Sequence, residues 1–411
     1  MSLSLRCDAC GSSFGPLEPV TRCPACRGLL TLRDDRPPAT VARRFAEARP
    51  AGSRDRSGVW RFAELFRPGF DAVVSFPEGN TPLIERAAVA AWAGVHRLAL
   101  KHEGLNPTGS FKDRGMTVAV SQAKALGVRA VACASTGNTS ASLAAYAAIA
   151  GLPGVVLIPA GKTALGKLAQ TVAYGATVLA VRGDFDRCLE LVDEAAARLG
   201  LYLVNSINPF RLAGQQTIVY ELLADRSWRA PDWIALPAGN LGNTSAFGQA
   251  LQRAHALGLI DRIPRIAAIQ AAGAAPFARS FAEGFRTRYA VPAETVATAI
   301  RIGNPASHDR AVAAITQSNG IVIAVSDEEI LEAKRTIDRA GVGCEPASAA
   351  SVAGVRRQAA DGTIRPDDDV VAVLTGHILK DPEILLGDRD RSIREVDPTI
   401  DAVATVLDRL G

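Results

Sequence analysis

Lys112 stands in the run Gly109-Ser110-Phe111-Lys112-Asp113, where Gly104, Pro107 and Gly109 punctuate a loop and Ser110 is placed to cap a following helix. A lysine after a phenylalanine at a strand–loop–helix junction is open to desolvation, which lowers an amine's pKa and makes it a nucleophile fit for Schiff-base chemistry. The same residues also describe a solvated first-turn lysine paired with Asp113. Taken alone, this loop leaves both readings open.

Three further strand ends carry polar, glycine-rich turns. Ala130 to Ala134 leads into Ser135-Thr136-Gly137-Asn138-Thr139-Ser140 and then a helical stretch, Ala141 to Ala150. Hydroxyls, an amide and backbone N–H groups at a helix N-terminus suit a carboxylate or phenolate; a plain cap would need one hydroxyl only. Trp233 to Leu236 leads into Pro237-Ala238-Gly239-Asn240-Leu241-Gly242-Asn243-Thr244-Ser245, a backbone cradle for a phosphate. It lacks the P-loop lysine and the dinucleotide spacing, so a monophosphate fits it better than a nucleotide. Val370 to Leu374 ends at Thr375-Gly376-His377, where a hydroxyl meets the crevice expected beyond such strands. After Leu201 to Val204, Asn205, Ser206 and Arg211 gather an amide, a hydroxyl and a guanidinium matched to phosphate. No Ser-His-Asp order, histidine-rich metal spacing or carboxylate pair stands out. His102 and His377 read as supporting residues, and Glu345, before Pro346, as either a helix-dipole partner or a crevice residue.

Four of the seven cysteines fall at Cys7-x2-Cys10 and Cys23-x2-Cys26, each pair followed by a glycine, Gly11 or Gly28. Four thiolates in two such knuckles satisfy a tetrahedral zinc ion and leave no open position, so the metal would be structural. Two disulfides or a redox tail are the alternatives, disfavoured in a reducing compartment. Cys133, Cys188 and Cys344 lie in apolar surroundings and read as buried small residues.

Positioning these groups requires strands that end beside one another. Short apolar runs at Leu98 to His102, Ala130 to Ala134, Val155 to Pro159, Thr177 to Val181, Leu201 to Val204, Trp233 to Leu236, Ile266 to Gln270, Ile321 to Val325 and Val370 to Leu374 alternate with alanine-rich helical stretches. That pattern predicts an α/β fold of parallel sheets covered on both faces. Asp34 to Pro50, with Pro37-Pro38 stopping regular structure, reads as a linker, Trp60 to Phe70 as helical, and Pro77 to Pro82 as a loop before the first strand. With 411 residues, two domains plus appendages are expected. A net charge of +4 without basic blocks implies neither nucleic acid nor a membrane surface, and no apolar run approaches the roughly 20 residues of a membrane span. The start, Met1-Ser2-Leu3-Ser4-Leu5-Arg6, holds no signal-peptide core, which makes the cytoplasm the expected compartment.

In kind and in order, the loop lysine, the Ser-Thr-Gly-Asn turn, the phosphate cradle and the strand-end threonine resemble the fold type II family of pyridoxal-phosphate enzymes, from about Phe76 to about Pro382. Within it the resemblance is to the threonine synthases, in the form with an N-terminal zinc-ribbon-like segment. It implies a ribbon at 1–33, a linker and helical arm at 34–75, a larger α/β domain from 76–112 and 207–411, and a smaller one from 113–206. By the same resemblance Lys112 is the Schiff-base lysine, Asn138 meets the ring hydroxyl, Gly239, Asn240, Leu241, Gly242 and Asn243 hold the cofactor phosphate, and Thr375 meets the ring nitrogen. Ser135, Thr136 and Thr139 would hold the substrate carboxylate region, and Asn205, Ser206 and Arg211 the departing phosphate. The implied reaction converts O-phospho-L-homoserine and water to L-threonine and phosphate, in an enzyme that is a possible homodimer. A related cysteate synthase or threonine dehydratase-like lyase is the alternative. Leu241, where many relatives carry alanine, and Ile378, where glycine is common, depart from the pattern.

Overall fold

A computed structural model of the chain describes residues 3–47, 57–66, 69–70, 73–161, 165–386 and 395–408. Its N-terminal strands β1 (Leu3–Cys7), β2 (Ser13–Phe14) and β3 (Leu30–Asp34) form an antiparallel sheet in the order β2-β1-β3. Leu3, Leu5 and Cys7 alternate inward, as period-2 side chains must. The stretch expected to be a linker instead contains helix α1 (Pro38–Glu47). Pro38 occupies its first position, where the missing N–H costs nothing and the fixed φ suits a helix, so the proline pair starts regular structure rather than stopping it. Within the Trp60 to Phe70 stretch, Trp60–Phe62 forms a 3₁₀ turn that runs into α2 (Ala63–Phe66); residues 67–68 lie outside the described residues.

The body then alternates: β4 (Leu83–Glu85), α3 (Ala87–Ala93), β5 (Arg97–His102), α4 (Lys112–Ala125), β6 (Ala130–Ala134), α5 (Asn138–Ala150), β7 (Gly154–Pro159), α6 (Leu165–Ala173), β8 (Thr177–Val181), α7 (Phe185–Leu199) and β9 (Leu201–Leu203). After it come α8 (Pro209–Asp225), β10 (Trp233–Pro237), α9 (Gly242–Ala256), β11 (Arg265–Ala271), α10 (Pro276–Ala282), α11 (His308–Gln317), β12 (Ile321–Val325), α12 (Asp327–Arg339), α13 (Pro346–Ala360) and β13 (Asp369–Leu374). They make a six-stranded sheet, β12-β11-β10-β13-β5-β4, and a four-stranded sheet, β8-β7-β6-β9. Every pairing in these two sheets is parallel except β4 with β5. β4 is the one strand of these sheets that the apolar pattern did not announce; three residues after Pro82 are too few to show a period, and an edge tolerates them.

Parallel strands leave their carboxyl ends on one side, and that is where the helices carrying the predicted turns begin. Two of those helices, α4 and α8, touch backbone to backbone: a Cβ added at Gly214 would lie 2.0 Å from the Arg114 carbonyl oxygen. Asn208 caps α8 through its side-chain oxygen, with Pro209 in the first helical position. Beneath α4 lies a buried ionic group. Arg114 donates to Glu103 (Nε to Oε2, 2.6 Å) and to Glu221 (Nη2 to Oε1, 2.6 Å), and Lys101 Nζ donates to Glu221 Oε1 at 2.8 Å. Residues 381–408 form a unit of their own with α14 (Pro382–Leu386) and α15 (Ile400–Leu407). Among the described residues, no helix is long and apolar enough to cross a membrane.

Candidate active site

Lys112 is the first residue of α4. Ser110 Oγ accepts from the Lys112 backbone N at 3.4 Å, but the capping position itself falls to Phe111, one residue later than expected. The Lys112 amine lies 4.1 Å from the centre of the Phe111 ring. Burial first, and then the nearby Arg211 charge, lower its pKa from 10.5 to about 7, against the opposing pull of Glu345. Asp113 does not pair with it. Its carboxylate instead accepts from Thr108 N (2.7 Å), Thr108 Oγ1 (2.6 Å) and Ser142 Oγ (2.6 Å), and burial raises its pKa to about 6. The solvated ion pair is therefore absent, and a poised amine stands in its place.

The loop behind Lys112 is stitched to the end of β13. Phe111 N donates to the Thr375 carbonyl (3.0 Å), His377 N donates to the Gly109 carbonyl (2.9 Å), and Ser110 bridges to Gly376. Thr375 Oγ1 lies 3.0 Å from Ser348 Oγ and 3.3 Å from Glu345 Oε1. Asn138, first in α5, donates its Nδ2 to Glu345 Oε2 at 2.9 Å. Glu345 is thus buried in the crevice, joining a residue from the four-stranded side to one from the six-stranded side. Only its place before a helix-opening proline hinted at this in the sequence. Ser135, Thr136 and Thr139 line the same turn half-buried, and no side chain caps α5, so its N–H groups remain available to an anion.

The cradle after β10 turns through an uncommon backbone conformation. The left-handed residue is Leu241 (φ 64°), not a glycine. Gly239 is needed for another reason, since its Cβ would lie 2.9 Å from Ile300 Cα. At the start of α9, Asn243 Oδ1 and Thr244 Oγ1 are buried without hydrogen-bond partners. Asn240 donates to Ser206 Oγ at 2.5 Å. Asn205 spends both amide atoms on the Ala134 backbone (3.0 and 3.1 Å), which ties its loop to β6. Arg211 is the outlier of the region: buried, with Nη1 bound to the Val204 carbonyl (3.0 Å), and with Nε and Nη2 unpartnered. Burial lowers its pKa to about 10. Orphaned donors and acceptors around a helix N-terminus fit a phosphorylated ring whose phosphate and ring substituents would satisfy them.

Away from this crevice, the sulfur atoms of Cys7, Cys10, Cys23 and Cys26 all lie within 4.8 Å of one another. Gly11 has φ 75°, and a Cβ at Gly28 would lie 2.9 Å from Cys7 Sγ, so both glycines after the pairs are required. Cys133, Cys188 and Cys344 are buried.

A crevice of this kind, in two parallel sheets with an activated lysine at a helix start, defines a class of cofactor-dependent enzyme. The family model described as "Pyridoxal-phosphate dependent enzyme" matches residues 74–376. Threonine synthase from Methanosarcina acetivorans is 44% identical, with 98% of each chain covered, and that of Methanocaldococcus jannaschii is 44% identical over 95% of this chain and 96% of its own. Threonine synthase from Mycobacterium leprae is 50% identical over 82% of this chain and 91% of its own. Among solved structures, Escherichia coli threonine synthase superposes with TM-score 0.71 at 20% identity, covering 98% of this chain and 94% of that one, a likeness of fold. The chain belongs to the pyridoxal-phosphate dependent enzymes, and within them to the threonine synthase family.

Proposed function

We propose that the protein makes L-threonine from O-phospho-L-homoserine and water with release of phosphate, using pyridoxal phosphate held by Lys112, Asn138, Thr375 and the Gly239–Asn243 cradle. Bound pyridoxal phosphate supplies an electron sink next to the substrate's reacting carbons. Lys112, with a pKa lowered to about 7 so that a large share is neutral near pH 7, provides the amine that anchors the cofactor and afterwards carries protons at its Nζ. Thr375 offers the ring nitrogen a hydroxyl, which cannot protonate it as a carboxylate would. The weaker sink suits elimination and replacement at the β and γ carbons. Ser135, Thr136 and Thr139, at the open end of α5, take the substrate carboxylate region, and Arg211, with Ser206 on the loop that Asn205 ties to β6, takes its phosphate.

The observation that carries this choice is Arg211. A buried guanidinium with two unpartnered nitrogens beside Lys112 suits a second anion on the substrate besides its carboxylate, a phosphate that serine and threonine lack. The decisive assay is phosphate release from O-phospho-L-homoserine; activity confined to O-phosphoserine or threonine would sink the proposal. Arg211→Met should raise KM about 10–100-fold through loss of charge-assisted hydrogen bonds. It should also leave the substrate-free protein as stable as before or more so, because an uncompensated buried charge is gone. A thermal melt together with steady-state kinetics checks both halves.

We propose further that the four cysteines bind structural zinc. Cys7 and Cys23 are buried with Leu30 in the ribbon's small local cluster, which places their thiols ready for a shared ion. A structural zinc contributes about 10–16 kcal/mol. Freshly reduced protein should contain about one zinc per chain, and Cys23→Ser should lose it; metal analysis finding none in the parent would refute the assignment. We propose 113–206, which holds the four-stranded sheet, as the smaller domain and 76–112 with 207–411, of which 381–408 form a unit of their own, as the larger. A cytoplasmic homodimer completes the proposal, in keeping with free thiols and a small-molecule substrate.

A further inference from the structure

The ribbon is built into the body at α11, the helix that follows a segment hydrogen-bonded to the phosphate cradle. Asp8, between Cys7 and Cys10, accepts from Thr31 Oγ1 (2.8 Å) and from Arg310 Nε (2.5 Å). Arg310 lies in the first turn of α11; its side chain is 8% exposed, and both terminal nitrogens are buried without a hydrogen-bond partner. A guanidinium in that state is stabilised by negative charge, and zinc held by four thiolates carries about two net negative charges.

One helical turn before Arg310, the chain grips the cradle. Ala306 N donates to Asn240 Oδ1 at 2.6 Å, and Ser307 N to the Asn240 carbonyl at 3.4 Å. Asn240 in turn holds Ser206. The same backbone therefore orients Asn240 and leads into the helix that Asp8 fixes. The ribbon also reaches the four-stranded side, where Arg27 pairs with Asp193 of α7 and Leu29 packs on the cluster containing Ala132, Leu203 and Ile207, which takes in Ala306 as well.

We propose that Arg310 is a positioning residue that couples metal binding in the ribbon to the strength with which the cradle holds a phosphate. The coupling rests on the functional and zinc assignments made above. Zinc in the thiolate cluster draws the guanidinium toward Asp8, which fixes the first turn of α11 and with it the amide of Asn240. Without the metal the anchor slackens and the cradle loosens.

The test titrates full-length protein, freed of cofactor, with pyridoxal phosphate and follows absorbance. Stripping zinc from the parent should weaken binding about tenfold, the scale of losses when partners around a metal site are removed. Arg310→Ala should weaken the zinc-loaded protein by a similar factor while keeping its zinc, and stripping that variant should add little. Arg310→Lys should fall between the two. By thermodynamic reciprocity, pyridoxal phosphate should tighten zinc in the parent by the same factor and not in Arg310→Ala. Asp8→Asn probes the same contact from its other side if Arg310→Ala does not fold. Effects that simply multiply, or a parent whose cofactor affinity ignores zinc, overturn the coupling alone. A zinc-loaded parent that binds no pyridoxal phosphate overturns the functional assignment, and the coupling with it.

Discussion

Lys112→Ala should leave a folded protein whose turnover falls by more than about 10⁴-fold, because one substitution removes both the covalent anchor and the proton carrier. Phosphate release measured on a variant with unchanged circular dichroism checks this, and retained steady-state activity would show the assignment to be wrong. The structure adds a pH signature independent of turnover. Buried, and beside Arg211, the amine has its pKa lowered from 10.5 to about 7 in the cofactor-free protein. Between those values the unfolded chain binds the proton and the folded chain does not, so this group makes the cofactor-free protein more stable as pH rises from about 7 to about 10.5. Urea unfolding at pH 7 and pH 9 should show that rise in the parent and its loss in Lys112→Ala.

Glu221→Gln should destabilise the protein by about 3–5 kcal/mol, the cost of leaving buried cations without their partner. Burial alone would raise the Glu221 pKa, but Arg114 and Lys101 overwhelm it and hold the carboxyl well below the usual carboxylate range. Besides those two cations, the carboxylate accepts from the backbone N of Asn80 (2.7 Å) and of Thr81 (2.9 Å). The contribution is present at neutral pH and is lost as pH falls below the ordinary carboxylate range. Since Arg114 is two residues past Lys112 on α4, part of the loss should appear as reduced cofactor retention. A chemical denaturation series that finds Glu221→Gln within 1 kcal/mol of the parent, roughly the scale of a surface change, would refute the argument.

What the sequence disclosed, and what it withheld, follows from the range of each interaction. Strands such as Ala130–Ala134, Thr177–Val181 and Ile321–Val325 were legible because continuous apolar residues between turn signals are a local property. Lys112, Asn138 and Thr375 stood out as candidates because their turns have composition; that Asn138 and Thr375 meet at one carboxylate needed the fold. Glu345 was not, since its partners Asn138 and Thr375 lie 207 and 30 positions away and a carboxylate before a proline has several ordinary explanations. The Arg114–Glu221 pair, 107 positions apart, was invisible for the same reason. The left-handed conformation at Leu241 contradicts a local rule, and such exceptions gather at functional loops.

The strand order carries a consequence for how the molecule comes into being. β5, which delivers the Lys112 loop, joins β10, β11 and β12 through β13, the last strand among the described residues, because β13 lies between β5 and β10. During synthesis the early strand waits while more than half of the chain is made. Until residues 369–374 leave the ribosome, β5 and β10 present unpaired edges that invite association with other chains. Lys112 is therefore among the earlier groups synthesised and among the last to be fixed in place. A nascent chain halted before β13 has the lysine but not the enzyme.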